Sequence, residues 1–222
     1  MPEGKLLIGN RRYSSWSMRG WLAVRLARLD VEVEVARFVR PGPTPQIEAT
    51  SPNGLVPYLE HRGARVWESL SVCEYCAEIE PSLWPADRVA RAHARSIAAG
   101  MLAGFHGLRQ NMWMNLGRDF SGLGRTPDAL ADIARIEAYW ADARQRFGGG
   151  GPYLYGAGFT AADVMYAPVV TRLLTWRPEI SAATQSYVDA VRGHPLVSEW
   201  YDAAAQEPAD WLVTDYEQTP AA

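Results

Sequence analysis

An α/β N-terminal domain joined to an all-α C-terminal domain is the fold class predicted by three observations. The first is a short apolar run, an amphipathic stretch and the strictly alternating Val31-Glu32-Val33-Glu34-Val35, in the order strand, helix, strand. The second is Pro81-Ser82-Leu83-Trp84-Pro85, a segment bracketed by two prolines that helix cannot run through. The third is that everything after Asp87 reads as helix. The predicted division is residues 1–80, a linker over 81–86 and a helical domain over 87–222.

In the first part, Lys5 to Gly9 is a short apolar run and predicts a strand. Ser14 or Ser15 opens a helix whose Met18, Leu22, Leu26 and Leu29 share one face. With the alternating strand after it, this makes a βαβ unit, which sets its two strands parallel. Arg40 to Pro45 holds three prolines and a glycine and predicts a loop. Pro57 to Glu60 and Arg65 to Trp67 flank the turn His61-Arg62-Gly63-Ala64 and predict an antiparallel hairpin. Ser69 to Ile79 follows as a helix. The order β-α-β-loop-β-β-α is that of a thioredoxin-like half. Beyond the linker, helices are predicted over Asp87–Leu116, Thr126–Phe147, Thr160–Trp176, Ala182–Val191 and Pro195–Gln206. Thr160-Ala161-Ala162-Asp163 has capping-box spacing, with Phe159 placed as a hydrophobic staple.

Composition narrows the function classes. The 222 residues suffice for two small domains, and 48% hydrophobic content can fill their cores. A net charge of −3 offers no basic field for nucleic acid, so no such partner is expected. No apolar stretch approaches the length of a membrane span. The N-terminal apolar run is too short for a signal peptide. Two cysteines make no disulfide framework, so a cytoplasmic setting is the expectation. Cys73-Glu74-Tyr75-Cys76 falls inside a predicted helix and reads as packing thiols. His61, His93, His106 and His194 lack metal-ligand spacing, and no metal is expected. His194 precedes Pro195 at a helix start and reads as structural.

Three segments carry the chemistry. Tyr13-Ser14-Ser15-Trp16-Ser17-Met18-Arg19 sets hydroxyls at a helix N-terminus, where unpaired N–H groups and partial positive charge favour an anion. Either serine also suits a plain N-cap. Ser51-Pro52-Asn53-Gly54-Leu55-Val56-Pro57-Tyr58-Leu59 puts Pro57 at a strand start, with Val56-Pro57 a candidate cis bond. Trp67-Glu68-Ser69-Leu70-Ser71-Val72 puts a carboxylate and a hydroxyl at the next helix start. There Glu68 can grip an ammonium, while Ser69 and its N–H grip a carboxylate; a simple acidic cap is the alternative. Together they describe a pocket for a small peptide-like thiol beside a hydroxyl.

This combination resembles the cytosolic glutathione S-transferase superfamily over essentially the whole chain. Ser14-Ser15-Trp16-Ser17-Met18-Arg19 is similar to the Ser-Ser-Cys-x-x-Arg signature of the zeta class, with Trp16 in place of the cysteine. It is also similar to the Ser-Pro-Phe-x-x-Arg form of the tau and phi classes, so the class stays open. The resemblance implies glutathione as co-substrate, with no further cofactor, and a homodimer. It implies Ser14 as the thiol-activating hydroxyl, with Ser15 as fallback. It implies glutathione binding through the Val56 backbone beside a cis Pro57, and through Glu68 and Ser69. Relatives often carry a Lys just before the Val-Pro for the glycine carboxylate; Leu55 stands here, which leaves Arg40 and Arg37 as candidates. Tyr13, Trp16, Met112 and Trp113 are expected to shape the electrophile pocket, with Phe105, Asn111 and Met114 on the same predicted helix. An aromatic seam or dimer surface is the alternative for that stretch. The implied activity is conjugation of the glutathione thiolate to a small apolar electrophile. The alternatives are a non-catalytic binding module and a glutathione-dependent isomerase or peroxidase on the same site.

Overall fold

Strand alternation decides how the first part packs. A computed structural model describes residues 1–218. β1 (Gly4–Gly9) runs parallel to β2 (Glu32–Ala36), with Leu6 opposite Val33 and Ile8 opposite Val35. β1 is antiparallel to β3 (Tyr58–His61), which is antiparallel to β4 (Ala64–Trp67), giving the sheet order β2-β1-β3-β4. The β3–β4 turn puts Arg62 and Gly63 at φ 47° and 86°, the pair of positive values that a two-residue hairpin needs. Successive side chains of β1 face opposite ways. Leu6 and Ile8 join the core under α1 (Ser15–Leu26) and α3 (Ser69–Ile79), while Leu7 joins Ala36, Ile47 and Tyr58 on the other face. Ile47 belongs to α2 (Pro45–Thr50), a short helix in the segment after the predicted loop.

The helical part begins after a 3₁₀ turn at Pro81–Leu83. Its helices are α4 (Arg88–Ala103), α5 (His106–Asn111), α6 (Pro127–Phe147), α7 (Ala161–Trp176), α8 (Ala182–Arg192), α9 (Pro195–Ala205) and α10 (Thr214–Glu217). The single helix predicted over Asp87–Leu116 is thus broken into α4 and α5. Phe105 sits at φ 60°, its ring buried edge-on to Tyr139 with Arg135 stacked over it. Burying that ring and capping α5 through Leu108 N–H to the Asp132 carboxylate (3.0 Å) outweigh helix continuation.

α7 is buried on all sides, as its near-continuous apolar sequence requires, and it packs against α1, α4 and α8. Its N-terminus is held by the capping box of Thr160 and Asp163. Beyond α9 the chain returns to the sheet. The Glu207 carboxylate accepts the Arg11 and Arg12 N–H groups at 2.5 and 3.3 Å, and the Trp211 carbonyl accepts Asn10 Nδ2–H at 3.1 Å. Among the described residues no helix is long and apolar enough to cross a membrane.

Candidate functional site

The N-terminus of α1 opens onto a cavity of about 670 Å³ between the sheet part and the helical part. Its walls include Tyr13, Ser14, Ser15, Trp16, Val56 and Arg40 of the predicted set, and Trp113 from the helical side. Ser14 is the α1 N-cap. Its Oγ accepts the Ser17 N–H (3.2 Å) and lies 2.7 Å from Ser17 Oγ, which accepts the Gly9 N–H (2.9 Å). Ser17 is fully buried, so this chain of hydroxyls is shielded from water. Ser15 Oγ accepts a hydrogen bond from the Arg172 guanidinium at 3.3 Å.

Val56 lines the cavity and the Val56–Pro57 bond is cis, in the geometry anticipated from the motif. Gly20 of α1 lets that proline approach, since a Cβ there would fall 2.6 Å from Pro57 Cβ. Pro57 itself is buried against α1 and does not line the cavity.

Glu68 and Ser69 also lie off the cavity wall. Glu68 is the α3 N-cap at φ 76°, a strained value for a non-glycine residue. Its carboxylate accepts the Ser69 N–H (2.6 Å), the Ser69 hydroxyl (2.9 Å) and the Leu70 N–H (2.9 Å). The donors anticipated for a ligand carboxylate are therefore satisfied by the neighbouring side chain, because Glu68 reaches the positive end of its own helix.

The expected electrophile residues divide. Trp16 lies under two guanidiniums, those of Arg109 at 4.6 Å and Arg19 at 5.2 Å from its ring. Trp113 lines the cavity and donates its indole N–H to the Tyr216 carbonyl (3.0 Å). Met112 does not line it: the side chain is fully buried in the core, and Met114 takes the wall position instead. The stretch leaves helix at Met112, so the helical spacing that grouped Met112 with Trp113 no longer applies. Tyr13 donates its hydroxyl to Glu217 (2.6 Å), accepts the Val213 N–H (3.3 Å) and stacks on Tyr216. Burial and the Glu217 carboxylate raise its phenol well above the ordinary value, so it stays protonated.

Of the two arginines considered for a carboxylate, Arg37 is ion-paired with Asp210 at 2.9 Å. Arg40 is exposed on the cavity rim and reaches Tyr216, with the guanidinium 6.0 Å from the ring. Cys73 and Cys76 are fully buried; burial pushes the Cys76 thiol up to about 12 and Cys73 higher than its ordinary value, so neither supplies a thiolate. Among the described residues no group of His, Cys, Asp or Glu side chains is arranged to hold a metal ion.

Sequence reasoning missed Arg109 and Arg172, which line the cavity from α5 and α7, and the closing residues Tyr216 and Glu217. An arginine inside the apolar run of α7 was the available signal.

A four-stranded mixed sheet with its cis proline, joined to a helical bundle across this cleft, defines the two-domain thiol-transferase architecture. Glutathione S-transferase N-terminal and C-terminal domain models match residues 13–79 and 111–203. The chain belongs to the glutathione S-transferase superfamily and is an enzyme of that kind. It is 26% identical over 173 residues to a probable maleylacetoacetate isomerase of Caenorhabditis elegans, covering 77% of this chain and 79% of that one. It shares its fold with a diazinon-metabolizing glutathione S-transferase of the silkworm Bombyx mori (TM-score 0.70, 16% identity, 92% and 98% of the two chains). It is likewise similar to a Burkholderia glutathione transferase homolog with bound glutathione (TM-score 0.68, 20% identity, 92% and 99%).

Proposed function

We propose that this enzyme binds glutathione against the sheet side of the cavity and conjugates its thiolate to a small electrophile held from the helical side. One observation carries the reading: Ser14, at the N-terminus of α1, shares a cavity wall with Val56 of the cis Val56–Pro57 bond. A hydroxyl there can donate to a thiolate, and the helix end favours the anion. Ser17 supports this geometry. Ser17 Oγ accepts from both the Gly9 N–H and the Ser14 hydroxyl (2.7 Å); a bound thiolate would draw the Ser14 hydrogen to itself, and the Ser17 hydroxyl would turn to donate to Ser14 in its place. The thiolate sulfur then bonds to the electrophilic carbon as the leaving group departs. Glutathione's γ-glutamyl end would meet Glu68 and Ser69 once the Glu68 carboxylate swings off the α3 N-terminus. Arg40 is the candidate for its glycine carboxylate.

Two further features belong to this proposal. The division into residues 1–80 and 87–222 is proposed with α3 ending at Ile79 and α4 starting at Arg88, and a homodimer is proposed from the family alone. A cytoplasmic location is proposed from the two free, buried thiols.

A hydrogen bond to a charged sulfur is worth about 1.5–3 kcal/mol. Ser14→Ala therefore raises the pKa of bound glutathione by roughly 1–2 units, read by thiolate absorbance against pH, with little change in glutathione affinity. Ser17→Ala moves the same pKa upward by a smaller amount. An unshifted thiol in Ser14→Ala, with Ser15→Ala carrying the effect, would transfer the role to the fallback serine. A second reading, glutathione-dependent isomerisation on the same site, is favoured by the likeness to the probable maleylacetoacetate isomerase. It predicts that glutathione is regenerated and no adduct accumulates.

A further inference from the structure

Arg19, Arg109 and Arg172 come from three helices; the first two guanidiniums lie over the Trp16 ring, and Arg172 reaches the neighbouring Ser15. Arg19 and Arg172 are only 1% and 4% exposed, and Arg109 is half-buried. Their partners are neutral. Arg19 Nε donates to the Met165 carbonyl (2.8 Å), and Arg172 donates to the Pro168 carbonyl (2.8 Å) and to Ser15 Oγ. Arg109 donates to the Met101 and Leu102 carbonyls. Each has an N–H nitrogen without a partner: Arg19 Nη1, Arg109 Nε and Arg172 Nε.

Among the described residues none of the three has a carboxylate within 4.0 Å. Glu68 and Asp132 act on the group from farther away, and both are engaged elsewhere, Glu68 at the α3 N-terminus and Asp132 on Leu108 N–H and Arg135. Burial lowers all three guanidiniums, and repulsion from neighbouring arginines lowers Arg19 and Arg172 further, Arg172 to about 9. Guanidiniums removed from water without counter-charge are costly, and an anion seated among them would relieve both the desolvation and the repulsion. Arg109 and Arg172 line the cavity from α5 and α7 of the helical part, while Val56, assigned to glutathione, lines it from the sheet part.

We propose that the second substrate carries a carboxylate, bound by Arg172 and Arg109, on an apolar body resting against Trp16 and Trp113. This rests on the glutathione reading above and narrows the electrophile class: an apolar body with an acidic end rather than a wholly apolar molecule. In conjugation of an aryl chloride, the glutathione sulfur forms a bond to the ring carbon, chloride leaves with the C–Cl electron pair, and the carboxylate is carried through unchanged.

The test pairs 4-chloro-3-nitrobenzoate with its methyl ester, each kcat/KM divided by its uncatalysed rate with glutathione. The acid is expected to exceed the ester at least tenfold, and Arg172→Gln and the half-buried Arg109→Gln are each expected to collapse that ratio at least fivefold. Glutathione affinity is measured separately by calorimetry, alongside quenching of tryptophan fluorescence by benzoate and by benzamide without glutathione. Benzoate binding that benzamide does not match supports the anion site even if glutathione fails to bind, which would sink the transferase reading alone. A wild-type ratio at or below one, or benzoate binding no better than benzamide, overturns the proposal. So does a loss of glutathione affinity in Arg172→Gln that the glycine ethyl ester of glutathione reproduces on the wild-type enzyme, because the arginines would then serve glutathione itself.

Discussion

Replacing Asp163 by alanine removes one side chain on which four donors converge. The carboxylate is fully buried and accepts the Thr160 N–H (2.8 Å), the Thr160 hydroxyl (2.8 Å), the Leu154 N–H (3.1 Å) and the Tyr187 hydroxyl (3.0 Å). The two hydroxyls have some freedom to re-aim, but the two backbone N–H groups have none. Each buried donor left unpaired costs about 1–3 kcal/mol, so the two together cost about 2–6 kcal/mol. Removing a buried carboxylate returns part of its own desolvation penalty, while the two hydroxyls that lose their acceptor add about 1 kcal/mol, for a net loss of about 4 kcal/mol. For a chain of this size, each 1 kcal/mol lowers Tm by roughly 2–4 °C, so Asp163→Ala is expected to melt roughly 8–16 °C below the parent. Thermal unfolding followed by circular dichroism and tryptophan fluorescence checks this, with exposed Asp189→Ala as the control. A loss of less than about 3 °C would refute the reasoning, since it would mean that the freed N–H groups find water or other acceptors. The consequence reaches the site, because α7 also carries Arg172.

Two further outcomes follow from the same kind of argument. His194 caps α9 by accepting the Leu196 N–H at Nδ1 and stacks on Phe159, and burial lowers its pKa from the ordinary 6.5. A depressed histidine favours the neutral fold, so its contribution is present above 6.5 and lost as pH falls through the folded value. Tm is therefore expected to fall between pH 7.5 and 5.5 more steeply in the parent than in His194→Asn, and parallel curves would dismiss the effect. Gly20→Ala puts a methyl 2.6 Å from Pro57 Cβ and is expected to cost about 2 kcal/mol by overpacking while weakening glutathione binding beside Val56. Unchanged melting and unchanged calorimetric affinity would show that α1 shifts freely past the proline.

Much of the fold was legible because it is written in local rules. The alternation of Val31 to Val35 marked β2, the Arg62-Gly63 turn marked the hairpin, and the Thr160–Asp163 spacing marked the start of α7. The three motifs likewise marked the α1 N-terminus and the Val56–Pro57 bond, because capping and proline chemistry need only neighbouring residues. The helix break at Phe105 was not legible, since nothing in His106 to Asn111 forbids helix; burial of that ring against Tyr139 decided it. The same holds for Met112, whose place in the core depends on where α5 ends.

Sequence by itself determined the strands, most of the helices and which side chains can do chemistry, because periodicity and capping act over a few residues. Only the tertiary structure decided that Tyr13 is held by Glu217, and that Arg19 and Arg109 meet over Trp16 with Arg172 on the neighbouring Ser15. Those contacts join residues up to about two hundred positions apart. Local pattern carries no record of them; they arise where packed helices bring distant side chains into one cleft and exclude the water that would otherwise separate their charges.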